Sequence, residues 1–379
     1  MTSLIATAAF GLEAVVKREV SALGYTDIKT FDSKVEFTPP NIPEAIARSN
    51  LWLRSADRVL LKMGEFPATT FDGLFESTKA LPWDEWIPVD GKFTVTGKSV
   101  RSGLFSVPDV QGIVKKAVVE KLKQKYKVSW FKETGAEYTI QVALLKDIAT
   151  LTIDTTGAGN GLHKRGYRAR ATAAPLRETM AAALIDLARF DGFDKKGEPK
   201  PFLDPCCGSG TIPIEAAMKA KNIAPGLAKS FAAEKWPQVN ASIWKEARQG
   251  AYAAIRTDFE PLIYAADIDP DAVELAQANA ELAGVDDCIR FEVRPLNQTI
   301  LPTGMGVAII NPPYGERLGQ VKQAEALYAE LGRLFNPTKW NVYVLTPDEF
   351  FETAYKKRAR AKRKLFNGMI KTDLYQYFI

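Results

Sequence analysis

From about residue 170 the chain repeats one pattern: an apolar run, a turn, then a helical stretch. The strand candidates are "PFLD" (201–204), "PLIYAAD" (261–267), "VAIIN" (307–311) and "WNVYVLT" (340–346). Strands separated by helices pair in parallel through crossovers rather than through tight turns. The last stretch, "RKLFNGMIKTDLYQYFI" (363–379), instead places Asn367-Gly368 between two strand-like runs, a strong hairpin signal. The expected architecture here is an open parallel sheet with helical crossovers, finished by an antiparallel hairpin.

The first half has a different rhythm, that of small mixed α+β units. "SLIATAAF" reads as a strand and "GLEAVVKREVSALGY" as a helix closed by Gly24, with "VEFTPP" as a further strand. "NIPEAIARSNLWLRSADRVLLKMGEF" is a helix, with Pro43 in its first turn, followed by a strand. "GKFTVTGKSVRS" alternates like a strand, and Val110, Ile113, Val114, Ala117, Val118 and Leu122 recur at helical spacing. "EYTIQVALLKDIATLTIDTTG" reads as a hairpin pair.

Composition narrows the chemistry. Of three cysteines, Cys206 and Cys207 are adjacent, which gives neither a disulfide framework nor a C-x-x-C metal pair. A single histidine, His163, excludes triads and any metal site that needs two imidazoles, so no metal is expected. No apolar run approaches the ~20 residues of a membrane span, and "MTSLIATAAFGLEAVVKREV" lacks a basic leader. Both point to a cytoplasmic protein without a membrane partner. At 379 residues, 46% hydrophobic and 25% charged, the chain fits two or three globular domains.

Three strand ends carry the candidate chemistry. In "FLDPCCGSGTIPIEAAMKA", Gly208 and Gly210 lie between a strand and a helix, where a sharp turn and free helix N–H groups can meet a polar ligand. No Lys-Ser/Thr follows, which excludes a Walker loop, and the missing third glycine argues against a dinucleotide. In "YAADIDP", Asp267 ends the next strand, placed to accept hydrogen bonds from ribose hydroxyls. Asp269 follows it, and charging the start of the next helix is the favoured reading of that residue. In "VAIINPPYGERLG", the apolar strand stops at Asn311-Pro312-Pro313-Tyr314. Two prolines cannot donate to a ladder and stiffen the exit, holding the backbone carbonyls still.

A stiff exit of this kind suits an exocyclic base amine. Its lone pair is delocalised into the ring. If the Asn311 side-chain oxygen and the Pro312 carbonyl each accept one N–H, the nitrogen can pyramidalise and aim that pair at an electrophile. Tyr314 offers a ring on which the base can stack. A cysteine nucleophile is the competing chemistry, but Pro205-Cys206 sits in the glycine loop, on the wrong strand.

Asp204-x-x-x-Gly208-Ser209-Gly210, Asp267-Ile268-Asp269 and Asn311-Pro312-Pro313-Tyr314, in that order, resemble motifs I, II and IV of class I S-adenosylmethionine-dependent methyltransferases. With "GLFESTKALPWDEWIPVDGKFTVTGKSVRS", "GLHKRGYR", "APLRETMAAALI", "NIAPGL" and "NPPYGERLG", the chain is similar to the bacterial THUMP-domain RNA methyltransferases related to the 23S rRNA guanine-N2 methyltransferase. The resemblance implies a ferredoxin-like unit over 1–60, a THUMP RNA-binding domain over 61–158 and a Rossmann-like methyltransferase domain over 165–379. It implies S-adenosylmethionine held by Asp204, Cys206, Gly208, Ser209, Gly210, Thr211, Asp267, Ile268 and Asp269, with Asn311, Pro312, Pro313 and Tyr314 catalytic. The family usually has an acid near the adenine, after the third strand. Here that region reads "RPLNQTILP", where Asn297 or Gln298 could accept the same bond without charge.

The implied partner is structured RNA, 23S rRNA or a large-subunit precursor. Its expected contacts are basic. Lys98, Arg101, Lys115 and Lys116 lie in the front module; Lys164, Arg165, Arg168 and Arg170 surround Tyr167; and Lys356, Lys357, Arg358, Lys362, Arg363 and Lys364 belong to "KKRARAKRK", which has seven cations in nine residues. That run precedes the final hairpin, which suggests a place near the catalytic face of the sheet. A DNA adenine-N6 methyltransferase would use the same Asn-Pro-Pro-Tyr exit, and a catalytically dead RNA-binding protein is the third possibility. The intact motifs argue against the last.

Overall fold

The computed structural model describes residues 2–168, 176–258, 260–314, 318–368 and 370–378. The chain divides into two compact units. The first comprises Met1–Ala8, Val16–Leu162 and Lys229–Gly250, and the second comprises Ala9–Val15, His163–Ala228 and Ala251–Ile379.

The elements β1 (Ser3–Ala8), α1 (Glu13–Ala22), β2 (Ile28–Phe31), β3 (Lys34–Phe37), α2 (Ile42–Trp52), β4 (Ala56–Pro67), α3 (Phe71–Lys79), α4 (Trp83–Trp86), β5 (Lys92–Val100), α5 (Val107–Tyr126), β6 (Glu137–Leu145) and β7 (Ile148–Asp154) come first. Their seven strands form one sheet in the order β2-β3-β1-β4-β7-β6-β5. The twelve-residue β4 pairs with β1 on one side and β7 on the other, so the sheet runs unbroken through residues 60 and 61. Helix α5 is a crossover that joins β5 to β6 in parallel, whereas the other pairings of this sheet are antiparallel. Its expected apolar stripe is buried at Val110, Val114, Ala117, Val118 and Leu122, with Ile113 partly so. The expected hairpin is β6–β7. Lys146 and Asp147 both take left-handed φ at its turn, 50° and 62°, the twist that a two-residue hairpin loop needs. Strand β2 was not expected, because this exposed edge segment has no apolar alternation.

One stretch from the second half of the sequence completes the first unit's core. Within Lys229–Gly250, Phe231, Ala233, Trp236, Val239 and Trp244 are buried with the residues of the front sheet. Trp236 stacks on Tyr138 with ring centroids 4.8 Å apart, and its indole N–H donates to the Glu137 carbonyl at 3.1 Å.

The second unit is built from α6 (Glu178–Leu187), β8 (Phe202–Asp204), α7 (Thr211–Ala220), β9 (Ile263–Asp267), α9 (Pro270–Ala283), β10 (Ile289–Val293), β11 (Val307–Ile310), α10 (Leu318–Phe335), β12 (Asn341–Thr346), α11 (Phe351–Tyr355), β13 (Ala361–Asn367) and β14 (Ile370–Tyr377). Helix α8 (Ala241–Ala253) precedes β9. All four strand candidates are strands. The sheet order is β10-β9-β8-β11-β12-β14-β13, parallel from β10 to β12 and antiparallel for β14 and β13. Strand β10, missing from the sequence reading, is an edge strand carrying Arg290 and Glu292. The terminal hairpin is present, but Asn367 pairs with Ile370 as a strand residue and Gly368, φ 65°, begins the turn; Met369 lies outside the described residues. Two apolar layers sandwich the sheet, one including Leu184, Ile214, Ala217 and Ala280, the other Tyr328, Leu331, Phe351 and Tyr375. No described helix is long and apolar enough to cross a membrane.

Replacing Trp236 by alanine removes a fully buried indole, a stack and a hydrogen bond. We expect a loss of about 3–5 kcal/mol in the first unit's stability, measurable by chemical denaturation followed by fluorescence. No shift in that unit's transition would show that the inserted stretch is not part of its core.

Candidate active site

Strand β8 ends at Asp204, and the chain reaches α7 through Pro205–Gly210. Gly208 and Gly210 take left-handed φ of 52° and 79°. A side chain at Gly210 would also bring its Cβ to 2.9 Å from that of Ala276, so glycine is required there both by conformation and by the close approach of α9. The loop is fastened from the neighbouring strand. Asp267, at the end of β9, accepts the Gly208 N–H on Oδ2 at 2.8 Å and the Asp269 N–H on Oδ1 at 3.1 Å. Asn279, which the sequence did not single out, donates from Nδ2 to the Ser209 carbonyl at 2.9 Å.

A cleft of about 430 Å³ opens beside this loop, and the expected residues Asp204, Cys206, Gly208, Ser209, Thr211, Asp269 and Asn311 line it. Leu176, Cys207, Ile212, Asp271, Ala272 and Leu275 complete the lining. The sequence offered a signal only for Asp271, an acid in the first turn of α9. Asp267 is not in the lining; its carboxylate is engaged in holding the loop. Asp269 lines the cleft and also caps α9, accepting the Asp271 N–H at 3.0 Å. Ile268 is 71% exposed, and Asn297 is exposed and absent from the lining.

Asn311 follows β11 directly. Its Oδ1 is buried and accepts no hydrogen bond among the described residues. An amide oxygen left without a donor costs on the order of 1–3 kcal/mol, a strain expected where a ligand completes the site. Pro312 is buried, Pro313 exposed and Tyr314 half-buried. Asp204 is fully enclosed. Burial, opposed by the Cys206 N–H and reinforced by the Asp267 charge, pushes its carboxyl up to about 8. Burial and the same two acids drive the Cys206 and Cys207 thiols upward as well, the reverse of what a thiolate nucleophile requires.

Two expected RNA contacts are corrected. Arg165 is buried, its Nε 3.1 Å from Glu215 Oε1, an oxygen that also accepts the Tyr167 hydroxyl at 3.2 Å. Arg168 donates to Glu178 and to the Leu176 carbonyl, both at 2.6 Å, and to Thr211 Oγ1 at 3.2 Å, so it braces two residues of the cleft wall. In sequence these arginines look like a solvated basic linker, because their countercharges sit inside apolar helices ("TIPIEAAM", "ETMAAALI"), fifty residues on for Arg165 and ten for Arg168. Acids embedded in such helices were the available signal. Lys164 is exposed, and Arg170 lies outside the described residues.

The basic run is not a single face. Register carries Ile310 across Val344 and Tyr375 to Lys362, three strand spacings or roughly 14 Å away. Only Lys362, Arg363 and Lys364 therefore reach the carboxyl-end level of the sheet, while Lys356, Lys357 and Arg358 precede β13 at its other end. Arg363 is half-buried and donates to the Gly11 carbonyl at 3.0 Å, and Lys362 pairs with Glu352. The others are exposed. In the first unit Lys98, Arg101, Lys115 and Lys116 are exposed, the last two lying over the rings of Phe93 and Phe75 at 5.9 and 5.7 Å.

A family model described as "RMKL-like, methyltransferase domain" matches residues 165–376. The chain belongs to this methyltransferase family. Models of the RlmL ferredoxin-like domain and the THUMP domain match residues 3–60 and 68–154 of this methyltransferase. YpsC of Bacillus subtilis, named provisionally as an RNA methyltransferase, is 49% identical, covering 99% of this chain and 96% of its own. The ribosomal RNA large subunit methyltransferase K/L of Psychromonas ingrahamii is 33% identical across the whole chain, which spans only 50% of that relative's length. Among solved structures, SMU.472, a provisionally named methyltransferase in complex with SAH, is 45% identical with a TM-score of 0.92, covering 100% and 98% of the two chains. A chain from Listeria monocytogenes named as a predicted N6-adenine-specific DNA methylase is 48% identical, also with a TM-score of 0.92, covering 100% and 96%. S-adenosylmethionine is the methyl donor of this family, and the site fits it: a glycine cradle, an enclosed carboxyl beside two exposed acids, and a nucleoside-sized cleft.

Because folding raises the carboxyl of Asp204 above its ordinary value, the folded protein holds a proton that the unfolded chain releases. Stability therefore falls as pH rises from about 4 to about 8. Asp204→Asn should make the protein more stable than wild type at pH 8 and equal to it near pH 4. Denaturation at both pH values checks this, and an unchanged slope would remove Asp204 as its source.

Proposed function

We propose that this protein transfers a methyl group from S-adenosylmethionine to an exocyclic base amine of RNA, guanine N2 of 23S rRNA. The observation that carries the reading is Asn311 Oδ1, an acceptor without a partner among the described residues, in the wall of the cleft that the glycine loop also lines. An amine would bring it a donor.

When bound, the cofactor supplies an activated methyl on a sulfonium. The chain's own residues position and polarise. Asn311 Oδ1 and the Pro312 carbonyl accept the two N–H groups of the amine, turning the nitrogen lone pair toward the methyl. These bonds strengthen as positive charge develops on nitrogen. The Tyr314 ring stacks on the base. The Gly208–Thr211 turn and the α7 N-terminus would hold the donor's polar end; Asp204, whose carboxyl a neighbouring cation would ionise, would face its cationic part, and Asp269 its ribose. Asp267 acts by keeping the loop in place. No thiolate or imidazole is required.

The THUMP match supports RNA over DNA, since such a module suits folded RNA. The names of YpsC and of the K/L relative point the same way. The DNA adenine-N6 reading is favoured only by the name of the Listeria chain, and the Asn-Pro-Pro-Tyr exit serves either amine. The exposed Lys98, Arg101, Lys115, Lys116, Lys356, Lys357, Arg358 and Lys364 are the phosphate contacts of this reading.

Mass spectrometry of nucleosides from a strain lacking the gene should show N2-methylguanosine missing from large-subunit rRNA. Loss of N6-methyladenine from DNA would instead establish the second reading. Asn311→Ala should lower the transfer rate by roughly 10²- to 10³-fold while leaving donor binding intact, read by single-turnover transfer beside calorimetry. Equal loss of binding and rate would sink the catalytic role. Neutralising Lys356, Lys357 and Arg358 together should flatten the log–log salt dependence of RNA binding by roughly two units, and an unchanged slope would leave them as a solvated surface.

A further inference from the structure

We propose that the outer face of α5 around Gly112 is a seat for the sugar-phosphate backbone of the RNA substrate, with Lys115 and Lys116 as its phosphate contacts; the proposal rests on the RNA reading above. After proline, glycine is the least favourable residue in a helix interior. Here neither packing nor conformation asks for it. Gly112 lies inside α5 with ordinary helical backbone, is exposed, and would carry a Cβ that meets nothing within 4 Å. The remaining use of a glycine is to let another chain come close to the backbone itself.

Two lysines flank that spot. Lys115 and Lys116 stand one turn on, three and four residues from Gly112 and so on its face of the helix. Helical side chains lean toward the N-terminus, which carries both over the turn of the glycine. Their ammonium groups are steadied on two different rings, Lys115 at 5.9 Å from the centroid of Phe93 on β5 and Lys116 at 5.7 Å from that of Phe75 on α3. Lys79, in the last turn of α3, lies 5.7 Å from the same Phe75 ring and adds a third cation. Stems held in this way lose little further freedom when an anion binds.

Charge selects the occupant. Lys115 and Lys116 are exposed, and neither has an acid within salt-bridge distance among the described residues. The acids of the two helices are otherwise engaged: Glu76 pairs with Lys79 and Glu120 with Lys123, while the exposed Asp72 and Asp109 stand in first turns, where they offset the helix dipoles. Bare backbone between two uncompensated cations matches a phosphate chain. A protein helix packed on Gly112 would instead cover both lysines without a countercharge.

The test uses the full chain and in vitro transcribed 23S rRNA. Gly112→Leu enters open space in the free protein, so the first unit should unfold at or above the wild-type denaturant midpoint. RNA binding should nevertheless fall roughly 10-fold, the loss of about one charge-assisted contact. Gly112→Ala should move both in the same directions, by less. Gly250→Leu alters an equally open, exposed glycine in the last turn of α8, where Ala253 and Ala254 take the places of the lysines, and it should bind as wild type does. Glutamine at both Lys115 and Lys116 should flatten the log–log salt dependence by roughly 1.4–1.8 units, and S-adenosylmethionine binding should be equal in all variants. Undiminished RNA binding by Gly112→Leu, an equal loss by Gly250→Leu, an unchanged slope in the lysine variant, or a wild-type dimer dissolved by Gly112→Leu would each overturn the seat while leaving the RNA reading intact. Failure of the wild type itself to bind the rRNA would remove that reading and the seat together.

Discussion

The site depends on the parallel pairing of the three-residue β8 with β9 on one side and β11 on the other. Because the sheet reverses its order at β8, the loops that leave its end and the end of β11 diverge and open a crevice between them. Asp204 and Asn311, more than one hundred residues apart in sequence, thereby line one cleft. The Asp267 carboxylate then sets the loop's shape, since it binds the N–H of Gly208 across the strand gap and that of Asp269 within its own turn. An acid that a motif comparison reads as a ligand contact also fastens the contact surface in this geometry.

Near the loop, the unit holds buried acids with one buried and one partly buried arginine. Arg165 with Glu215, and Arg168 with Glu178, are internal pairs whose desolvation is offset by multiple hydrogen bonds. Such pairs stabilise weakly relative to apolar packing but penalise any other arrangement strongly, because an uncompensated buried charge is costly. That suits a wall whose positions at Leu176 and Thr211 must be fixed. Among the described residues Asp204 has no such countercharge: the groups that act on it are the Cys206 N–H and another acid. A cationic donor would relieve that tension, so the raised carboxyl and the Asn311 oxygen, which has no donor among the described residues, are two groups in a single cleft that both call for an electropositive partner.

Much of this was legible along the chain. The four apolar runs, the stripe of α5 and the two hairpins follow from periodicity and turn residues, since local backbone preference and side-chain direction set them. The glycine loop, the two acids of β9 and the Asn-Pro-Pro-Tyr exit were legible because their backbone demands restrict which residues can stand there. Edge strands β2 and β10 were not, as half-solvated segments bury too little to impose a pattern. The arginines of "GLHKRGYR" were misread because a charge reveals its environment only through its partner, and Glu215 and Glu178 lie at contact distance only after folding.

The sequence by itself determined the element types, the family motifs and the positions of the glycine loop and the Asn-Pro-Pro-Tyr exit, since these are properties of short stretches. Only the tertiary structure decided that Lys229–Gly250 completes the core of the first unit and that Asp267 secures a loop. It also divided the cations of one run between a strand and the stretch before it, and left the Asn311 oxygen without a donor among the described residues. Each of these is a relation between distant residues, fixed by which surfaces exclude water together, and no local pattern carries that information.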